Sequence, residues 1–183
     1  GIHTQRSINN FRISNYKVPS RLYRALALVK KAAALTNYEL GYLEKDSAFA
    51  IFQACDEINS GKLMEYLETD AFQGGAGTST NMNINEVIAN RALVILGYDK
   101  GAYHIIHPIE QINLHQSTND VYPTAFKIAA IYAYRELSDS IAKLQSSLQS
   151  KEQEFAGILT IGRTEMQDAV PITLGSQFGA FAD

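Results

Sequence analysis

Three short polar segments stand out because they gather hydroxyl and amide side chains where they interrupt an otherwise largely helical pattern. They are GGAGTSTNMN (74–83), QSTND (116–120) and GRTEMQDAVP (162–171). Glycine lets a backbone approach a ligand closely, hydroxyls donate short neutral hydrogen bonds, and backbone N–H groups at a helix start carry partial positive charge. Since we expect a helix to begin at each segment, the three together predict a binding site for a small carboxylate.

Two nucleotide-binding alternatives explain the first segment less well. A Walker phosphate loop needs a lysine after its last glycine, where this chain has Thr78, and a dinucleotide fingerprint needs a third glycine where it has Thr80. A purely structural alternative remains open for each segment. Ser117 or Thr118 can simply cap a helix, and the glycines can simply shape a turn. The occurrence of three such segments in one chain is what favours a binding site.

The histidines and the single cysteine make a weaker case for chemistry. His104, His107 and His115 could be taken as metal ligands, because H-x-x-H places two imidazoles on one face of a helix. The apolar residues and the proline around His107 instead predict a turning or extended stretch, and no acidic or cysteine ligand has the expected spacing. Cys55 falls in an apolar helical pattern, where a thiol is usually a small core residue. We therefore expect neither a metal nor a cofactor.

Helical patterns account for most of the chain between these segments. The first predicted helix begins after Pro19, with Ser20 as its cap. A second is expected over residues 46–61, capped by its first residue, and a short third over 82–97; both are stopped by a final glycine. The stretch 70–80 has no helical period and is predicted to be a polar loop.

The segment after Pro123 carries the strongest structural signal. No glycine or proline occurs between Pro123 and Gly157, and apolar residues recur at three- and four-residue steps from Ile128 to Leu148. A helix of roughly 35 residues would be about 50 Å long, which exceeds the width of a small domain. Its apolar stripe needs more partners than this chain supplies. We therefore expect an oligomeric helix bundle, a further C-terminal portion, or both.

Composition and charge narrow the class of protein. The 183 residues include 46% hydrophobic and 19% charged residues, which is typical of a globular chain. The net charge of −3 argues against a nucleic-acid binder and against a polybasic membrane patch. No apolar run reaches the roughly 18 residues that a membrane span needs, and a lone thiol is typical of a reducing compartment. We expect a cytoplasmic protein with no nucleic-acid or membrane partner.

The three polar segments also match, in order, the sequence blocks of a known enzyme group. GGAGTSTNMNINEVIANRA, HQSTNDVYPTAFKIA and GRTEMQDAVPITLG are similar to three of its blocks, and GIHTQRSINNF resembles its N-terminal block. Over nearly all of its length the chain resembles the aspartase/fumarase superfamily. The resemblance implies a mainly α fold, with a small α-rich N-terminal domain over 1–116 and the start of a long-helix central bundle over 117–183. It also implies a homotetramer in which three subunits share each active site.

The resemblance further implies a reversible anti elimination through an aci-carboxylate intermediate. A proton leaves the carbon beside one carboxylate, and ammonia or water leaves the next carbon. GTST, QSTND and DAVP resemble the aspartase branch, which interconverts L-aspartate with fumarate and ammonia, whereas TQRS at 4–7 resembles the fumarases. A fumarate hydratase and a helical relative that has lost catalysis remain the alternatives.

Residue roles also follow from the resemblance and not from spacing. The substrate contacts that it implies are made by Thr78, Ser117, Thr118, Asn119 and Thr164. The candidates that it implies for supporting roles are Ser79, Asn81 and Glu165. The family's general base is a serine on a mobile loop, in a block resembling GSSxMPxKxN that does not occur here. We therefore expect no catalytic base in these 183 residues, and we expect them to be the N-terminal part of a longer enzyme.

Two positions depart from the family pattern. In HPIEQIN, Ile109 and Glu110 stand where Asn and Asp are common in the superfamily. Glu165 stands where fumarases and many relatives have histidine. The second departure weakens the resemblance to fumarases more than the resemblance to aspartases.

Overall fold

A computed structural model describes the whole chain, residues 1–183. Its elements, in chain order, are α1 (Ile2–Asn10), α2 (Ser20–Glu39), α3 (Lys45–Asn59), a short 3₁₀ turn (Met64–Tyr66), α4 (Thr78–Ile95), α5 (Thr118–Glu154), β1 (Leu159–Thr164), β2 (Gln167–Thr173) and α6 (Leu174–Ala182). The mainly α prediction is therefore confirmed. None of the helices combines the length and the apolar character that crossing a membrane requires.

The chain divides into two compact units, residues 1–130 and 131–183. The core of the first unit lies where α2, α3 and α4 pack together. Leu26 on α2, Ile51 and Ile58 on α3, and Ile88 and Leu93 on α4 are all fully buried. Burying each such side chain contributes about 1.5 to 3 kcal/mol relative to leaving it in water. The domain boundary predicted after residue 116 stays a prediction.

Two of the predicted helix caps are wrong. Ser20 is the first helical residue of α2, and Pro19 precedes it in extended geometry with no side-chain cap. Proline suits this place, because its fixed φ and missing N–H favour a helix start over a helix interior. Helix α3 begins at Lys45 after Glu44, so Asp46 lies inside the first turn. There its negative charge favours the helix through the helix dipole and not through a cap bond.

Helix α4 begins earlier than its sequence pattern predicts. Residues 78–80, expected in the polar loop, form its first turn, and Gly77 precedes them with φ +83°. The cap comes from a side chain outside the helix: Gln73 Oε1 accepts a 2.8 Å bond from the Thr80 N–H, and its Nε2 donates to Thr80 Oγ1 at 2.8 Å. At the other end, Gly97 follows the helix with φ +84°, so the predicted glycine stop is confirmed.

The predicted long helix is confirmed as α5, which has 37 residues. It begins at Thr118, and Pro123 lies within its second turn. The apolar stripe on the part of α5 in the second unit is largely open: Leu137, Ile141 and Leu144 are each more than half exposed. This chain alone therefore leaves the stripe without a cover, as the sequence pattern predicts.

The third polar segment does not begin a helix, which corrects the sequence-based prediction. Strands β1 and β2 form an antiparallel hairpin, closed by Glu165 and Met166 with φ of +51° and +62°. Two positive φ values in a two-residue loop match the right-handed twist of the flanking strands. Helix α6 follows and packs against the end of α5, where Gly175 lies so close that a Cβ would meet the Glu152 carbonyl oxygen at 2.5 Å.

Candidate active site

Six of the eight predicted site residues lie in the first unit, where α4 and α5 begin. Thr78 and Ser79 lie in the first turn of α4, and Asn81 follows them. Ser117 directly precedes α5, and Thr118 and Asn119 are its first two residues. The remaining two, Thr164 at the end of β1 and Glu165 in the hairpin turn, belong to the second unit, and both are exposed.

A direct hydrogen bond links the two helix starts. Asn81 Nδ2 donates to Thr118 Oγ1 at 3.0 Å. Because the Thr118 oxygen accepts this bond, its own hydroxyl hydrogen is free to donate to a ligand. Thr118 is half-buried and Asn81 is buried. The structure therefore gives Asn81 a defined task, which is to orient the Thr118 hydroxyl.

Ser117 caps the start of α5, which is the structural alternative that the sequence left open for it. Its Oγ accepts a 3.2 Å bond from the Asn119 N–H, and its backbone carbonyl accepts from Asp120 and Val121. These are the contacts of a helix N-cap. Ser117 and Asn119 are nevertheless exposed, so their side chains are accessible to a ligand.

The glycine-rich loop packs against the second turn of α5. A Cβ on Gly77 would lie 2.4 Å from the Tyr122 ring, and φ at Gly77 is +83°, so only glycine fits there. Between loop and helix lies an open depression of about 340 Å³, lined by Ala71, Gln73, Gly75, Ala76, Gly77, Asn119, Tyr122 and Pro123. Pro123 has no N–H, so the Asn119 carbonyl receives no helical bond from it.

Beneath the two helix starts lies a buried polar group that the sequence did not reveal. We call it the Asn113 cluster; its members are Lys30, Asn81, Asn85, Asn113 and Gln116. The Asn113 Oδ1 atom accepts from Lys30 Nζ at 2.8 Å, Asn81 Nδ2 at 3.1 Å and Asn85 Nδ2 at 3.2 Å. Lys30 Nζ also donates to Gln116 Oε1 at 2.9 Å. The cluster joins α2, α4 and the turn before α5.

Burial controls the electrostatics of this cluster. Lys30 is 1% exposed, and burial lowers the pKa of its ammonium to about 7. Neither hydrogen-bond acceptor of Lys30 is a carboxylate. The nearby Cys55 is also buried, which raises the pKa of its thiol to about 12, so it is a core residue as predicted. Lys30 is therefore the titratable member of the cluster, since its other members are amides.

The histidine segment forms turns, as its sequence predicts. His107 Nδ1 accepts 3.2 Å bonds from the N–H groups of Ile109 and Glu110, and His115 Nδ1 bonds Asn37 Oδ1 at 2.9 Å. One ring nitrogen of each is thus engaged in shaping the chain. No three His, Cys, Asp or Glu side chains are close enough together to hold a metal ion.

Comparison with known proteins places these features in a family. The whole chain, residues 1–183, matches the family described as Lyase. The chain belongs to this lyase family, that of the aspartase/fumarase superfamily. Aspartate ammonia-lyase of Escherichia coli K12 is 49% identical over 100% of the chain, and fumarate hydratase class II of Nitrosomonas europaea is 48% identical over 99%. This lyase chain spans 39% of the length of either relative.

Solved structures agree with the family assignment. A fumarate lyase:delta crystallin from Brucella melitensis is 51% identical, with a TM-score of 0.94, over 100% of this chain and 43% of that one. The class II fumarase of Schistosoma mansoni is 35% identical, with a TM-score of 0.90, over 100% of this chain and 39% of that one. The fold of this lyase chain is therefore that of the superfamily.

The ammonium group of Lys30 should titrate near pH 7, far below an ordinary lysine at about 10.5. Labelling the lysines with ¹³C at Cε and following the shifts with pH measures this pKa, and the Lys30 signal is the one absent from Lys30→Met. Because an unfolded lysine keeps its proton up to about 10.5, the unfolded state binds more protons between pH 7 and 10. The unfolding free energy of the wild type, relative to Lys30→Met, should therefore rise with pH in that interval. A Lys30 midpoint above pH 9 would contradict the expectation.

Proposed function

We propose that the protein containing this chain catalyses the reversible deamination of L-aspartate to fumarate and ammonia. The observation that carries the proposal is the meeting of two helix starts, with the Thr118 hydroxyl held by Asn81 so that its hydrogen is free. The resemblance of GTST, QSTND and DAVP to the aspartase branch supports the choice of substrate. The 49% identity to Escherichia coli aspartate ammonia-lyase supports it as well.

The chemistry of the elimination explains why such donors are useful. Removing a proton beside a carboxylate produces an aci-carboxylate with an extra negative charge. We infer that the side chains of Thr78, Ser117, Thr118 and Asn119 donate to this charge, together with the first backbone N–H groups of α4 and α5, which the cap bonds do not occupy. Each preorganised donor can contribute roughly 3 to 4 kcal/mol to stabilising the transition state. Thr164 and Glu165 are proposed to contact the substrate from the hairpin turn.

The two main candidate activities differ in the group that leaves the substrate. Aspartate ammonia-lyase releases ammonia, whereas fumarate hydratase shares the proposed intermediate but releases water. It is supported by TQRS at 4–7 and by the 48% identity to the Nitrosomonas enzyme, which is nearly equal to the identity with aspartate ammonia-lyase. We favour aspartate because Glu165 replaces the histidine that is typical of fumarases.

Assembly is part of the proposal. The open apolar stripe of α5 needs a cover, and a homotetramer in which the long helices pack together would provide one. In such an assembly each active site would draw on three subunits, and the general base would come from outside residues 1–183. We propose a cytoplasmic location for this enzyme.

Adding L-aspartate or L-malate to the full-length protein should distinguish the two candidates. Fumarate absorbs in the ultraviolet, so its formation can be followed directly with either substrate. We expect faster formation from L-aspartate. Faster turnover of L-malate would overturn the aspartase assignment in favour of fumarate hydratase.

Replacing Thr118 with valine should lower kcat/KM of the full-length protein by at least about a hundredfold. Valine keeps the shape of threonine but removes the donor that we assign to the developing charge. Folding should be maintained, because Ser117 and not Thr118 makes the cap bond of α5. Ser140→Ala, which removes an exposed hydroxyl bonded only within α5, is a matched control that should leave the kinetics unchanged. Near-normal kinetics for Thr118→Val would exclude it as a substrate donor.

The chain of residues 1–183 should show no lyase activity by itself. The proposed donors can bind a dicarboxylate weakly, but removing the proton needs a base, and losing one costs about 10²- to 10⁴-fold. The measurement is an assay of the purified chain alone and of the chain mixed with the remainder of the full-length protein, expressed separately. Activity of the chain alone would mean that a base lies within it, with Glu165 as the first candidate.

A further inference from the structure

A buried lysine that the proposed reaction does not use lies beneath the start of α5. Lys30 is 1% exposed, and its Nζ atom donates to Asn113 Oδ1 at 2.8 Å and to Gln116 Oε1 at 2.9 Å. A buried charge is costly unless polar groups around it are held in place. The side chains of Asn113 and Gln116 therefore cannot move away from Lys30 while it is charged.

Two chains of hydrogen bonds lead from Lys30 to the predicted substrate-binding residues. In the first, Lys30 holds Gln116, which directly precedes Ser117, and Asn113 Nδ2 donates to the Gln116 carbonyl at 2.9 Å. In the second, Asn113 Oδ1 accepts from Asn81 at 3.1 Å, and the same Asn81 amide donates to Thr118 Oγ1 at 3.0 Å. Both routes end at the turn that begins α5.

We propose that Lys30 is a positioning residue that holds the Gln116 to Asn119 turn in the geometry that binds a substrate carboxylate. Its positive charge also favours a dianion bound at that turn. The proposal deepens the proposed function and rests on it, because it presumes that a dicarboxylate binds there. The hydrogen bonds from Lys30 Nζ go to amide oxygens of Asn113 and Gln116, so Lys30 acts through these two residues and Asn81.

The pH dependence that Lys30 gives to ligand binding can be distinguished from that of the other charged and titratable groups near it. The Cys55 thiol on α3 is the nearby titratable group on the other side, and its pKa of about 12 keeps it neutral below pH 10. His115 adjoins Gln116 and bonds Asn37, while Lys31 pairs with Asp56 at the surface. A bound dianion stabilises the protonated form of Lys30. Binding above pH 7 should therefore be accompanied by proton uptake at Lys30.

The test compares the full-length wild type with Lys30→Met, Lys30→Arg and Lys31→Met. Methionine is similar in length to lysine but has neither charge nor donors. Lys31→Met is the matched control, because it makes the same change one residue along α2, at the surface. Succinate is the probe, since it is a dicarboxylate with no leaving group. Its Kd is measured by calorimetry between pH 6.5 and 9, and amide hydrogen exchange of residues 116–121 is measured without ligand.

In Lys30→Met we expect amide exchange in 116–121 to increase at least tenfold and the Kd for succinate to rise at least tenfold. The wild-type Kd should rise with pH above 7, and that pH dependence should be absent in Lys30→Met, where His115 is unchanged. Lys30→Arg should keep most of the affinity and also lose the pH dependence. Lys31→Met should match the wild type throughout.

Several results would overturn the proposal. Unchanged exchange in Lys30→Met would mean that Lys30 does not hold the turn, and faster exchange with an unchanged Kd would make its role merely structural. If Lys30→Met does not fold, succinate binding to the wild type is measured instead, by calorimetry at pH 8 in buffers of different ionisation enthalpy. The dependence of the binding enthalpy on the buffer gives the number of protons taken up. Absence of proton uptake would overturn the proposal. A wild type that binds no succinate would overturn the dicarboxylate site and with it the purpose of Lys30. Succinate binding together with preferential turnover of malate would overturn only the aspartate assignment.

Discussion

The ammonium group of Lys30 is buried without a carboxylate beside it, and two amide oxygens of one segment, Asn113 Oδ1 and Gln116 Oε1 in the turn before α5, accept its hydrogen bonds. Removing such a group from water costs several kcal/mol even after the surroundings relax. The bonds from Lys30 to Asn113 and Gln116 offset part of that cost, and the bonds from Asn81 and Asn85 to Asn113 Oδ1 tie the same turn to α4. The arrangement of the helix starts therefore depends on the hydrogen bonds around this one buried lysine.

Above the Asn113 cluster, the starts of α4 and α5 have a rigid backbone and side chains that a ligand can reach. Gln73 caps α4 from outside the helix, and the Ser117 hydroxyl caps α5, so the first turn of each helix is held in one geometry. The side chains of Thr78 and Asn119 remain exposed. A site built in this way loses little entropy when a ligand arrives, because its donors are already oriented. The capping role of Ser117 and a role in binding are thus compatible.

Much of this fold could be predicted from the sequence, for physical reasons that differ between elements. Helix α5 was predictable because a glycine-free apolar repeat over more than 30 residues fits few structures other than a long helix. The start of α4 was missed because its cap is the Gln73 side chain, which lies outside the local pattern of caps. The hairpin was missed because its turn uses Glu165 and Met166 and not the glycine or asparagine that usually marks a positive φ. Lys30 could not be recognised because one lysine in an apolar helix also suits a surface position.

The close approach of Gly77 to Tyr122 limits how this region can change in evolution. Any side chain at Gly77 collides with the aromatic ring, and shrinking the ring alone does not help, because the backbone there has φ +83°. A side chain at position 77 would need both a smaller residue at position 122 and a different backbone conformation. Position 77 is therefore closed to a single substitution, whereas Ala76 beside it is exposed and has no positive φ. Libraries that alter the surface of this depression should therefore vary Ala76 and leave the Gly77–Tyr122 pair unchanged.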